Sequence, residues 1–169
     1  VYLGYSSSKR NSMSTNFVFS ENVIRGRISG ADVQYCLFEK NILDGHVTYF
    51  TGNCTFRNNI FTYYYAYNEV FNNVTGINLN NNIFTRDNHG LAGSQINNNI
   101  FFVDMDPAPG GTNLGTGNIG NQAVEDIFVD FDGIKFDYAA DLHLKAGSPG
   151  ISGGTDGTDI GIYGTVSPY

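Results

Sequence analysis

One phrase recurs along this chain, an asparagine followed by two apolar residues. It stands at Asn22-Val23-Ile24, Asn41-Ile42-Leu43, Asn59-Ile60-Phe61, Asn82-Ile83-Phe84 and Asn99-Ile100-Phe101, with a weaker copy at Asn118-Ile119. Successive asparagines are 19, 18, 23, 17 and 19 residues apart. A unit of that length cannot hold a pair of helices with their turns, but it suits one coil of short strands stacked on the next, so the repeat points to a β-solenoid.

Reading back from each asparagine gives the expected inward side chains. Three positions earlier stand Phe19, Phe38, Phe56, Leu79 and Ile96; five positions earlier stand Phe17, Cys36, Cys54, Ile77 and Ser94. The two registers share a parity and so lie on one face of a strand. This predicts parallel, in-register strands near 17–19, 36–38, 54–56, 77–79 and 94–96. The residues one place after each asparagine, Val23, Ile42, Ile60, Ile83, Ile100 and Ile119, are expected to begin a second inward strand. Between the two lies a polar corner where asparagine tolerates left-handed backbone torsions. Coils about 4.8 Å apart would let each corner amide bond to the next, as an asparagine ladder. Asparagine clusters also occur in low-complexity tracts, but the apolar registers around these ones hold.

Composition agrees. The chain has 169 residues, with 21 Asn and 21 Gly making about a quarter of it, alongside 13 Phe and 11 Tyr. That excludes a helical bundle, since Asn and Gly are poor helix residues while Phe, Tyr, Ile and Val favour strands. The length suits one domain, 1–169, with an irregular segment at 1–16, coils over 17–120 and a terminal cap over 121–169. A net charge of -7 with nine scattered Lys and Arg argues against a nucleic-acid partner. No apolar run approaches a membrane span. The sequence begins at Val1 and shows no signal peptide, so a processed protein or a piece of a longer one is expected.

The tail carries a second pattern, Asp141-Leu142-His143-Leu144-Lys145-Ala146-Gly147-Ser148-Pro149-Gly150-Ile151 followed by Thr158-Asp159-Ile160-Gly161-Ile162-Tyr163-Gly164. With the coils, it resembles the carboxy-terminal part of right-handed parallel β-helix proteins of the pectin-lyase-like superfamily, of the secreted bacterial type. Gly150 stands where that signature usually has Ala. The resemblance implies an all-β, right-handed parallel β-helix of about five to six coils with an irregular carboxy-terminal cap. It also implies an extracellular or cell-surface location and a polysaccharide or glycan partner. Preceding coils of a longer chain, or another subunit, are the other partners it admits. Many activities share this frame, so it leaves function open.

Lyases of that superfamily neutralise a uronate carboxylate with Ca²⁺ or Arg while a base removes the neighbouring proton. The position five residues after each asparagine gives Arg27, His46, Tyr64, Asp87 and Asp104, a column expected to point outward. Arg27, His46 and Asp87 are therefore the candidate catalytic residues. The competing reading is a solvated face with paired charges, in which Arg25 stacks over Asp44 and Glu39 over Arg57. The longest coil contains Tyr63-Tyr64-Tyr65-Ala66-Tyr67; four tyrosines cannot all turn inward, and exposed rings stack on sugars. Tyr63, Tyr64, Tyr65, Tyr67 and Arg86 are the candidate carbohydrate contacts, with Asn68 and Glu69 beside them, unless the loop packs on the solenoid or another subunit.

Cys36 and Cys54 share one inward register on adjacent coils, close enough for a disulfide but equally able to stack as buried thiols. No cofactor is required. Calcium is conceivable at Asp104 and Asp106 or at Asp130 and Asp132, though the latter run lacks the twelfth-position Glu of a calcium loop. Asp156 and Asp159 read as turn residues. Asn53 and Asn73 fit the glycosylation pattern. Carbohydrate binding or display within a larger protein is the leading functional expectation; a polysaccharide lyase or glycoside hydrolase, and a structural or adhesive stalk, are the alternatives.

Overall fold

The structure, a computed structural model, describes residues 14–30, 33–62, 70–85, 91–102, 113–132 and 136–164. It is an all-β parallel solenoid with three main sheets, a small parallel pair of Ser14–Thr15 with Val33–Gln34, and an antiparallel pair of Phe128–Asp130 with Asp141–Leu144 in the tail. The first sheet holds Val18–Ser20, Leu37–Glu39, Thr55–Arg57, Asn78–Asn80, Gln95–Asn97 and Asn113–Leu114. The second holds Val23–Arg25, Ile42–Asp44, Ile60–Thr62, Ile83–Phe84, Ile100–Phe102 and Ile119–Gln122. The third holds Ile28–Ser29, Val47–Thr48 and Phe71–Asn72.

Pairing follows the sequence repeat: Phe19 lies beside Phe38, Phe38 beside Phe56, Phe56 beside Leu79, and Leu79 beside Ile96. The resemblance implies about five to six coils, whereas the solenoid makes about four turns. The reason is geometric. Six strands line up in each of the two longer sheets, but among the described residues the third side of the prism is formed in only three coils.

Aromatic stacking fills the interior. Phe38 stacks on Phe19 at 5.0 Å and on Phe56 at 4.5 Å, with interplanar angles of 8° and 3°. A parallel column, Phe61, Phe84 and Phe101, stacks at 4.6 and 5.0 Å. Phe50 and Phe71 come from the third side and meet Phe56 edge-on at 5.7 and 6.0 Å. In-register parallel strands force like on like, and offset rings make that arrangement favourable by about 0.5–1.5 kcal/mol per pair beyond area burial.

Each corner asparagine satisfies two coils at once. Asn59 Nδ2 donates to Phe38 O at 2.9 Å and to Asn82 Oδ1 at 3.0 Å, while its own Oδ1 accepts from Asn41 N at 2.9 Å and Asn41 Nδ2 at 3.1 Å. The pattern runs without a break from Asn22 through Asn41, Asn59, Asn82 and Asn99 to Asn118, so the weak sixth copy belongs to the ladder. Asn41, Asn59, Asn82 and Asn99 are fully buried. The left-handed torsion expected of these residues falls instead on the one before, at Glu21, Lys40, Asn58, Asn81 and Asn98, with φ between 51° and 62°. Turning the chain there frees the ladder residue for extended backbone and aims its amide along the solenoid axis.

The second sheet corrects the expected parity. The core-facing residues are two places after each asparagine, at Ile24, Leu43, Phe61, Phe84 and Phe101. The residues one place after, Ile42, Ile60, Ile83 and Ile100, face away from that core and are at most 8% exposed. They pack with Ile127, Phe128, Phe136, Leu142, Ile160 and Ile162 of the irregular tail, which lies along the flank of the sheet as a second core. The residues before the ladder fasten it: Asn58 Nδ2 donates to Gly164 O at 2.7 Å, Asn81 Nδ2 to Thr155 Oγ1 at 3.2 Å and Asn98 Nδ2 to Gly153 O at 3.0 Å. Gly161 is required beneath it, because at φ 95° a Cβ there would lie 2.8 Å from Ile83 Cδ1.

Candidate functional site

Arg27 and His46 occupy equivalent places on adjacent coils, each directly before a third-sheet strand, since Ile28 pairs with Val47. They are not equally available. Arg27 is exposed, donates from Nε to Thr48 Oγ1 at 3.0 Å, and holds its guanidinium carbon 5.3 Å from the ring centre of Tyr49. His46, expected to point outward into solvent, is only 7% exposed. The strand is short and its neighbours Val47 and Thr48 are buried too, so the ring sits in a covered surface. Asp87, Arg86, Tyr63, Tyr64, Tyr65 and Tyr67, with Asn68, Glu69, Asp104 and Asp106, lie outside the described residues.

Sequence reasoning passed over Tyr49. The pairs Val47 with Phe71 and Thr48 with Asn72 make Tyr49 and Asn73 successive members of one column, and the Tyr49 N–H donates to Asn72 O at 3.2 Å. Both turn the chain through left-handed torsions, with φ 61° and 52°. That turn swings side chains of inward parity out to the surface, so Tyr49 is 44% exposed and Asn73 is exposed. The one signal in the sequence was an aromatic residue directly after a polar strand end, a weak one. Arg27, Tyr49 and Asn73 thus form an exposed cation, ring and amide beside the third sheet. In sequence, the tyrosine-rich insertion leads from Thr62 in the second sheet to the Phe71–Asn72 strand.

No family model, curated protein or solved structure matches the chain.

The charged pairs of the bland reading are present. Arg25 Nε meets Asp44 Oδ2 at 3.1 Å, and Arg57 Nε meets Glu39 Oε2 at 2.7 Å. Asp44 is buried and also accepts from Thr62 Oγ1 at 2.8 Å. Arg25 further donates to Phe136 O and lies over the Tyr138 ring at 5.6 Å, which binds the tail to the first coil.

Among the described residues, no three of His, Cys, Asp and Glu gather as a metal-holding group. Asp130, Asp132 and Asp137 line an open depression, and Asp137 Oδ1 accepts the Ala139 N–H at 3.0 Å. Asp156 and Asp159 act in turns. Asp156 accepts from the Thr158 hydroxyl and main chain, which holds its carboxyl below the usual range, and Asp159 accepts from Ser152 N at 2.9 Å. In the tail, His143 N–H and ring both bond Asp141, lowering its pKa, and the His143 ring stacks on Tyr163 at 4.0 Å.

Cys36 and Cys54 are buried free thiols, each aimed at a main-chain carbonyl, Gln34 O at 3.6 Å and Val33 O at 3.7 Å. Burial raises the Cys54 thiol from 9.0 to about 11, opposed by the Cys36 main chain and aided by the Cys36 thiol. A thiol that ionises at 9.0 when unfolded but at about 11 when folded leaves the unfolded state with fewer protons between those values. Stability should therefore fall as pH rises from 9.0 towards 11. Denaturation curves of the wild type and Cys54→Ala over that range check it: the slope is expected to be shallower in the variant.

Proposed function

We propose that this domain binds carbohydrate on the surface beside the third sheet, with Tyr49 as stacking platform and Arg27 and Asn73 as polar contacts. Tyr63, Tyr64, Tyr65 and Tyr67, with Arg86, which lie outside the described residues, stay in the proposal as candidate contacts on sequence grounds alone. The observation that carries this reading is the exposed Tyr49 ring held under the Arg27 guanidinium at 5.3 Å, with Arg27 itself tied to Thr48. A ring and a cation ordered before binding lose little freedom when a sugar arrives. The ring offers an apolar face to sugar C–H groups while the guanidinium and amide bond to hydroxyls. The net charge of -7 disfavours strongly acidic polymers, so neutral or weakly acidic glycans are the proposed class. An extracellular or cell-surface location within a larger protein, and kinship with the pectin-lyase-like β-helices, belong to the same proposal; calcium is not needed for it.

Isothermal titration against a panel of neutral and uronate-containing oligosaccharides tests it. Tyr49→Ala is expected to weaken binding at least 10-fold and Arg27→Ala several-fold, with circular dichroism unchanged. Equal affinity in the wild type and in Tyr49→Ala would remove the site.

The second reading is a polysaccharide lyase or glycoside hydrolase. It draws on the adjacency of Arg27 and His46, a cation beside a titratable ring, and is weakened by the burial of His46. Cleavage of a uronate polymer that disappears in His46→Ala but survives in Tyr49→Ala would favour it. Absence of both binding and cleavage would leave the stalk.

A further inference from the structure

Left-handed torsions suit few side chains. Glycine and asparagine adopt them readily, whereas a bulky side chain crowds the following carbonyl. The corner that precedes the first sheet uses such a torsion in five successive coils. Asn16, Tyr35, Asn53, Gly76 and Gly93 stand in register there, two places before paired strand residues, with φ between 56° and 68°. Four of the five are the Asn or Gly that the backbone prefers, and Tyr35 is the exception. The corner after the third sheet repeats the pattern, with Tyr49 at φ 61° in register with Asn73 at 52°. Among the described residues, these two tyrosines are the aromatic side chains held at positive φ.

Burial does not account for them. Tyr35 is 56% exposed and Tyr49 44%, whereas their near neighbours Val33 and Phe50 are fully buried. A ring placed on an unfavourable torsion and left in water does little for folding, so the outlier points to a role outside the fold.

The two corners bound one flank of the solenoid. Tyr49 and Asn53 end one coil's crossing of that flank, at most about 14 Å apart along the chain. Tyr35 lies beside Asn53 on the preceding coil, about 4.8 Å away. Between the corners Thr51 is exposed and bridged to the exposed Thr75 of the next coil, and Asn53 is exposed as well. Main-chain bonds from Gly52 N to Thr75 O at 2.8 Å and from Asn53 N to Gly76 O at 3.1 Å fix the surface in place.

We propose that Tyr35 is a second stacking residue, and that the ligand is a linear neutral oligosaccharide laid across this flank from Tyr49 to Tyr35. The Thr51 and Thr75 hydroxyls and the Asn53 amide bond the sugars between the rings. This rests on the carbohydrate reading above and adds a length requirement, because a short glycan seated on Tyr49 leaves Tyr35 bare. Each ring offers an apolar face to sugar C–H groups. Two rings on one rigid flank act as a bivalent site, in which the second contact follows at high effective concentration once the first has formed.

Tyr35→Asn installs the residue that the same corner carries at Asn16 and Asn53. The full chain and this variant are compared by thermal denaturation and by titration calorimetry with cello-, xylo- and manno-oligosaccharides of graded length, from monosaccharide to hexasaccharide. The substitution is expected to raise Tm by about 2–4 °C, by relieving the torsion. It should weaken hexasaccharide binding about 10-fold and leave disaccharide binding unchanged, whereas Tyr49→Ala should weaken both. A lower Tm in Tyr35→Asn would mean that the ring serves the fold, and unchanged hexasaccharide affinity would mean that it touches no sugar; either result overturns the proposal. Binding lost in Tyr49→Ala but kept in Tyr35→Asn leaves the Tyr49 site standing and removes the extension alone. A wild type that binds none of the three series removes both.

Discussion

Phe56→Ala is expected to destabilise the domain by about 4 kcal/mol, the usual cost of emptying a fully buried aromatic site. Phe56 is stacked on Phe38 and meets Phe50, Phe61 and Phe71 within 6.1 Å, so a void there has rings on four sides. The solenoid spacing is set by backbone hydrogen bonds, and the neighbouring coils cannot close in to fill the gap. For a domain of this size that loss corresponds to a fall in Tm of roughly 10 °C. Phe17→Ala, at the half-open end, should cost less than about 1.5 kcal/mol. Paired urea titrations decide it: similar losses at both positions would mean that the Phe column is not the energetic centre of the coils.

Asn59→Ala is expected to cost about 3 kcal/mol. The substitution removes one side chain but strands several partners, because Asn41 N and Phe38 O lose their bonds inside a fully buried corner. Unsatisfied buried groups cost roughly 1–3 kcal/mol each. Asn22→Ala removes the exposed end of the same ladder and should cost under about 1 kcal/mol, since water replaces what is lost there. A gradient from the middle of the ladder to its end is the expected result of thermal melts on the series, and a flat profile would refute an energetic role for the ladder.

Much of this architecture was legible before any coordinates. The register three residues before each asparagine, the ladder, the stacked thiols and the Arg25–Asp44 and Glu39–Arg57 pairs all followed from spacing, because a solenoid repeats its geometry as faithfully as its sequence. Parity in the second sheet did not follow. Ile60 and Phe61 are both apolar, and a strand buried on both faces carries no alternation to say which points where. The second face is buried by residues about 20 to 120 positions later, which no local pattern announces. Tyr49 escaped for a related reason: its parity is inward, and only the left-handed turn at that residue brings it out. The candidate site was legible in part: Arg27 and His46 could both be placed from the repeat, but the spacing does not distinguish the exposed Arg27 from the buried His46.

The tail has a consequence for how the molecule opens and closes. A stack in which each coil touches only its neighbours can fray from either end, one unit at a time. Here Gly164 reaches back 106 residues to Asn58, and Phe136 reaches back 111 to Arg25. Losing the first coil therefore also breaks a bond to the tail, and lifting the tail uncovers the isoleucine column of four coils together. The strap makes a modular stack behave as one cooperative unit. The same long loops must close before their contacts count, which makes docking of the tail a slow step of folding and places it after residue 164 has been synthesised.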